Sequence, residues 1–358
     1  NKQSQQAGEG SQLVQAGTIV INQGISEERV RTVFNEMVPR ALEEYTKEAY
    51  AKANERNRNW GNSVLPRVNE VEGMLEAFAD PAFQRVLRKA QQSAAVTDEK
   101  ADYDLLTELL VCHVQKGDNR KNRAGILKAT EVVDLIDNNA LCALTIMNIV
   151  EFAIPTLGDV MLGMYVLSDV YSKLEYTDLP EGIDWMEHLE LLGAIRLSRN
   201  IKLNKFEDFY ARALNGYACV GIRKESDNYK TAIELLKSIQ IGERGLRDNI
   251  LLDGYVRLDV PNKDYIERMI LTDKNGIHKI RPDEKYVFIR IWYMYEKDDE
   301  LQKKVNKNFM DMWDSFEPLE KIHKWWNSIP MSYDITQVGK ILAHTNAKRC
   351  DPSLPDLL

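Results

Sequence analysis

Cysteine and histidine are both sparse in this 358-residue chain, which holds four of the first and five of the second. Cys112, Cys142, Cys219 and Cys350 have no C-x-x-C spacing, and Cys112 and Cys142 fall in apolar helical stretches where a thiol packs as a small hydrophobe. That pattern excludes a disulfide scaffold and predicts a reducing, cytoplasmic setting. His113, His188, His278, His323 and His344 are as scattered; no two have the i,i+3 or i,i+4 spacing of a zinc-binding helix, so neither a metal nor a cofactor is expected. No Gly-x-Ser-x-Gly elbow and no glycine-rich phosphate loop is present. A surplus of positive charge is missing too. The net charge of −8 argues against a general nucleic-acid binder, although local basic patches stay open. The longest apolar stretch, residues 140–170, is interrupted by Asn148, Glu151, Pro155, Asp159 and Asp169. Those are too many polar groups for a bilayer span, so no membrane segment is expected and the stretch should form the buried centre of the fold. Residues 1–6 lack the apolar core of a signal peptide, which points away from secretion.

What the chain does have at its start is a short β-rich repeat. Gln6-Ala7-Gly8 recurs as Gln15-Ala16-Gly17 and runs into Thr18-Ile19-Val20-Ile21-Asn22. Ile19 and Ile21 fall on one face of a strand, and Val20 adds β-branched content. A lone strand needs partners for its backbone groups and cover for its apolar face. The remaining sequence offers little sheet to join, so the expected partner is the same segment of other subunits. On this reading Gln15, Ala16, Gly17, Ile19, Val20 and Ile21 form an oligomerisation seam, and the chain is a homo-oligomer.

Beyond that segment nearly every apolar pattern has a helical period. Ser26 before Glu27-Glu28 marks an N-cap with first-turn carboxylates, and Pro39 should kink or break a helix running on to about residue 59. Pro66 permits a turn, and Asp80-Pro81 sets a cap followed by proline at the first helical position. Helical patterns follow over residues 83–93, 102–114, 124–136, 139–154, 157–174 and 183–197, then from Phe206, over 229–239, over 298–329 with a joint at Pro318, and over 336–348. The fold class is therefore mainly α: a multi-helix bundle or stacked helical hairpins, with the short N-terminal β segment used for oligomerisation. The expected organisation is a β segment at 1–24, a helical domain at 25–200, and a second helical region at 201–358. The latter holds an irregular insert at about 242–296, where residues 287–292 read as strand or buried helix.

Four stretches carry a resemblance. They are the Gln-Ala-Gly strand leading to Gly24-Ile25-Ser26, residues 80–84 continuing to 103–110, His188-Leu189-Glu190-Leu191-Leu192-Gly193, and the C-terminal Thr336-Gln337-Val338-Gly339-Lys340-Ile341-Leu342-Ala343-His344. Together they resemble an uncharacterised bacterial family of helical proteins found in mobile-element contexts. The resemblance runs end to end and implies fold and context; the family has no assigned activity or catalytic residue to carry over.

Few residues stand out as sites, and no catalytic residue is assigned. Arg120, Lys121 and Arg123 sit in a cluster of four cations between two helices and are candidates for contact with an anion or an acidic partner; a solvated loop explains them as well. His344 is a candidate polar functional group, as base or ligand, set against ordinary packing on a helix. Trp325-Trp326, with Trp313, Phe316 and His323, has too few basic neighbours for a base-stacking platform and should pack against the last helix. The function expected is a homo-oligomeric interaction or sensor protein in bacterial anti-phage defence or a phage–host conflict, partnered by itself and by a phage or host protein. A metal-dependent nuclease or nucleotide-acting enzyme with dispersed carboxylates, and a nucleic-acid-binding assembly working through avidity, stand as alternatives.

Overall fold

The computed structural model describes residues 26–43, 45–273 and 276–356, so the oligomerisation seam of Gln15 to Ile21 lies outside the described residues. Helices α1 (Glu27–Ala41), α2 (Lys47–Glu70), α3 (Met74–Ala77), α4 (Pro81–Val96), α5 (Lys100–Lys116), α6 (Arg120–Thr130), α7 (Asn138–Phe152), α8 (Val160–Leu174) and α9 (Asp184–Leu191) lead to strand β1 (Ile195–Ser198). Next come α10 (Phe206–Ala213), β2 (Ile222–Arg223), α11 (Asp227–Ser238), β3 (Leu246–Asp248), β4 (Tyr255–Leu258), β5 (Ile270–Asp273), β6 (Gly276–Lys279) and α12 (Pro282–Trp292). The chain closes with α13 (Asp299–Trp313), α14 (Glu317–Ser328), β7 (Ser332–Ile335) and α15 (Gln337–Cys350). The protein is mainly helical, as its periodicity predicts.

Side-chain caps set most of the boundaries. Ser26, Thr46, Asp80, Asn119, Asp137, Asp159, Ser226, Asp298 and Thr336 each accept a hydrogen bond from a backbone N–H of the turn they open. Three boundaries differ from the sequence reading. The first helix stops at Ala41, and Thr46 starts a new one that runs straight through Pro66, held there by the buried inner face of Val64 and Val68. The pattern at 183–197 is not one helix. It ends in a Schellman turn, with Gly193 at φ +72° donating to Glu190 O and Ala194 donating to Leu189 O, so that residues 195–198 leave as a strand. Pro318 opens α14 rather than joining two helices, because the break falls one turn earlier.

Hydrophobic packing forms two clusters. The larger holds residues from α1–α10 and α13–α15 together, so the packing crosses position 200/201. At its centre lies α7, buried from Ala140 to Val150, and α15 packs against it and against α5 and α6. Antiparallel pairing of β1 with β7, Ile195 opposite Ile335, brings α9 to the start of α15. There Thr336 Oγ1 accepts from Gly339 N at 3.1 Å and donates to Gly193 O at 2.7 Å. Gly339 is needed at that point, since a Cβ would run into the Ala194 carbonyl. The smaller cluster joins α11 and α12 to an antiparallel sheet of order β2-β4-β3. Residues 287–292 resolve there as buried helix, with Val287, Phe288 and Ile291 inward.

The tryptophans are structural. Trp325 Nε1 donates to Pro180 O and Trp326 Nε1 to Asn204 O, both at 3.0 Å. Their neighbours are Trp185 from α9 and Phe206 and Phe209 from α10. The aromatic group therefore packs against α9 and α10, where the sequence reading placed it against the last helix.

Candidate functional site

A polar cleft of about 820 Å³ opens between the ends of α2, α5 and α15, and His344 lines it. Arg67 donates to Glu108 at 2.9 Å and to Glu70 at 2.8 Å, and Lys116 pairs with Asp356. The charges of the cleft therefore largely satisfy one another. Burial raises the Glu108 carboxyl above its usual range against the opposing pull of Arg67. His344 is nearly enclosed, and burial holds its ring neutral by lowering its pKa, with Asp356 pulling the other way. Its Nε2 lies 3.7 Å from Asp356 Oδ1, beyond hydrogen-bond reach, and its buried Nδ1 has no partner among the described residues. Cys112 shares the cleft, but burial pushes its thiol up to about 12, so it carries almost no thiolate at neutral pH and is a poor nucleophile. Among the described residues no group of three or more His, Cys, Asp or Glu could hold a metal ion.

The other sequence candidates lie elsewhere. Arg120, Lys121 and Arg123 all sit on the first turn of α6 and are exposed. Arg120 and Arg123 line a groove of about 420 Å³ between α4 and α6, and the structure adds Arg85 of α4, which sequence reading missed. Lys121 does not line it. Three of the remaining histidines have polar partners: His188 Nε2 accepts from Asp137 N, His278 contacts Glu284, and His323 Nδ1 contacts Asp314 at 2.8 Å; the fourth, His113, is buried edge-on to Phe83 with its Nε2 unpartnered among the described residues.

The third feature is apolar. Residues 140–170 were expected as the buried centre, and α7 meets that expectation, but α8 does not. One face of it packs inward through Met164, Leu167 and Tyr171. The opposite face exposes Met161, Leu162, Tyr165 and Val166 at helical spacing, continued by Phe152, Ile154 and Leu157 before it. Leu162 and Tyr165 are 52% and 58% exposed. Hydropathy alone cannot tell a core face from an uncovered one, which is why the sequence reading buried both. Beside this face an apolar groove of about 480 Å³ is walled by Phe152, Tyr165 and Val166 and by Leu354 and Pro355 of the C-terminal strap, residues 351–356. The strap is pinned by Asp351 to Lys173 of α8, at 3.1 Å, and by Asp356 to Lys116 of α5. No helix among the described residues is long and apolar enough to cross a membrane.

Fold and surface thus define a mainly helical protein with a small α/β insert, a self-paired polar cleft and, among the described residues, an exposed apolar face on α8. Residues 24–355 match a family model described only as ":-like", and the chain belongs to that family. The match spans most of the chain, consistent with the expected membership of an uncharacterised family. No curated protein and no solved structure matches the chain.

Proposed function

We propose that the chain is a homo-oligomeric interaction protein in which the outward face of α8 docks on a second copy. The observation that carries this is the continuous apolar stripe of Met161, Leu162, Tyr165 and Val166, extended by Phe152, Ile154 and Leu157. Together these side chains leave on the order of 600 Å² of apolar surface in water, close to the ~800 Å² that each partner gives to a standard interface. That is the upper end of the ~300–600 Å² reached by the largest apolar patch on a typical monomer, a patch that is often functional.

Arg247 sits between Asp159 and Asp259 at the N-terminus of α8, and Asp169, one turn beyond Val166, pairs with Lys173 at 2.7 Å. An antiparallel copy would oppose the two α8 dipoles, and this favours a second copy as the occupant. The N-terminal segment, with Ile19 and Ile21, supplies a further contact between copies on this reading. The phage–host setting rests on the resemblance of the four stretches alone. Light scattering coupled to size exclusion tests the proposal over a range of concentrations. Wild type should be oligomeric, and Leu162→Asp with Val166→Asp should lower the mass while leaving the helical circular dichroism intact. A wild-type monomer at every concentration, or an unchanged mass in the double variant, overturns it.

A further inference from the structure

The groove between α4 and α6 gathers positive charge that no ion pair among the described residues uses. Ser93 Oγ of α4 donates to Thr130 O of α6 at 3.0 Å, and Lys89 pairs with Glu131 at 3.4 Å, so the C-terminal parts of the two helices lie side by side. Their N-terminal turns share the groove, hence the helices run parallel and present both positive dipole ends to the same place. Neither helix carries an acidic residue in its first turn. Instead Arg85, Arg120 and Arg123 converge there, all exposed, and none makes an ion pair or a side-chain hydrogen bond among the described residues. The neighbouring carboxylates do not quench them. Asp80 is occupied as the cap of α4, accepting from Ala82 N at 3.1 Å, and Asp118 is exposed ahead of the α6 cap and makes no ion pair among the described residues. Three like charges held across one groove repel one another, an arrangement that an anion would relieve, and planar guanidinium groups suit phosphate oxygens best. Between them Ala82, Val86, Ala124 and Leu127 give the groove an apolar floor.

We propose that this groove binds the phosphoryl group of a small phosphorylated organic molecule, held by Arg85, Arg120 and Arg123 with its uncharged part on the apolar floor. The site is distinct from the α8 face and does not depend on it. Calorimetric titration of the full chain with inorganic pyrophosphate and, separately, with adenosine 5′-monophosphate tests the assignment. Saturable binding of either is expected. Tighter binding of the nucleotide is expected, because the floor takes its uncharged part; equal or weaker binding of the nucleotide overturns the role given to the floor. Arg120→Gln with Arg123→Gln, and Arg85→Gln by itself, should each weaken binding at least about tenfold, the scale of a lost charge-assisted contact. Lys47→Gln with Lys52→Gln removes two exposed cations elsewhere and should change little. Absence of binding by both probes, binding only of a single-stranded oligonucleotide, or equal weakening by the lysine variant overturns the proposal. Circular dichroism of each variant separates loss of binding from loss of fold.

Discussion

Gly163 offers the sharpest test of how α8 is seated. A glycine inside a helix normally costs about 0.5–1 kcal/mol relative to alanine, so Gly163→Ala should stabilise an unconstrained helix. Here the sign should reverse. A Cβ at this position would lie 2.8 Å from Tyr217 Cε2 and 2.9 Å from its Cζ, well inside the ~3.5–4.0 Å separation of carbon atoms in contact. Tyr217 cannot retreat: it is fully buried, its hydroxyl donates to Leu157 O, and the Arg257 guanidinium sits 5.5 Å from its ring centre. Arg257 is itself buried and held by the carbonyls of Gly216 and Leu258 at 3.1 and 3.0 Å. Overpacking of a tight core costs about 1–3 kcal/mol, and a weakened hydrogen bond adds about 0.5–1.5 kcal/mol. Set against the propensity gain, the net loss should be about 2 kcal/mol. Urea unfolding at constant m reads it as a lower midpoint. Tyr217→Phe removes the atom nearest to the new methyl, so in a double-mutant cycle the pair should cost less than the sum of the single changes. A Gly163→Ala protein as stable as wild type, or more so, would refute the packing argument.

Three further outcomes follow from the same structure. Burial, aided by Arg123 and opposed by Asp80 and Asp118, lowers the pKa of His113 below 6.5, so the unfolded chain takes up a proton that the folded one refuses. The contribution is intact above pH 6.5 and is lost below it, and His113→Phe, which keeps a ring beside Phe83, should flatten the fall in urea midpoint down to about pH 5.5; a parallel fall in both proteins sinks the idea. Thr336→Ala removes the α15 cap and the bond to Gly193 O, and should lower stability by about 1–2 kcal/mol in the same assay; a loss under about 0.3 kcal/mol would contradict it. Deleting residues 1–24 should lower the oligomer order with helical content kept, since α1 has its own cap at Ser26 and buries Val30, Phe34 and Met37 itself. Unchanged stoichiometry would remove the N-terminal segment from the assembly.

What could be read from the chain beforehand was whatever is encoded locally. Ser26, Asp80-Pro81 and Thr336 announce helix starts because a cap is a property of three or four consecutive residues. The strand at 195–198 was hidden because its apolar spacing also fits a helix; only the left-handed Gly193 and the distant partner β7 decide the matter. The arginine groove was half legible. Arg120 and Arg123 stand out beside Lys121, but Arg85 lies 35 positions earlier on a separate helix, and its exposed place one turn into the Asp80-capped α4 was the one available signal. The cleft was less legible still, since Arg67, Glu108 and His344 come from three helices and carry no mutual spacing. His344 alone drew attention, and its partners could emerge only from packing.

The strap of residues 351–356 turns Pro352 and Asp356 toward the polar cleft and Leu354 and Pro355 toward the apolar groove beside α8. One short piece of chain is thus a common wall of two cavities with opposite character. On the proposed docking of a second copy the two sides would be linked through the strap: a ligand that drew Asp356 away from Lys116 would also shift Leu354 and Pro355 beside the α8 face. If docking at α8 shifts the strap, reciprocity requires it to change the affinity of the cleft for such a ligand by the same factor.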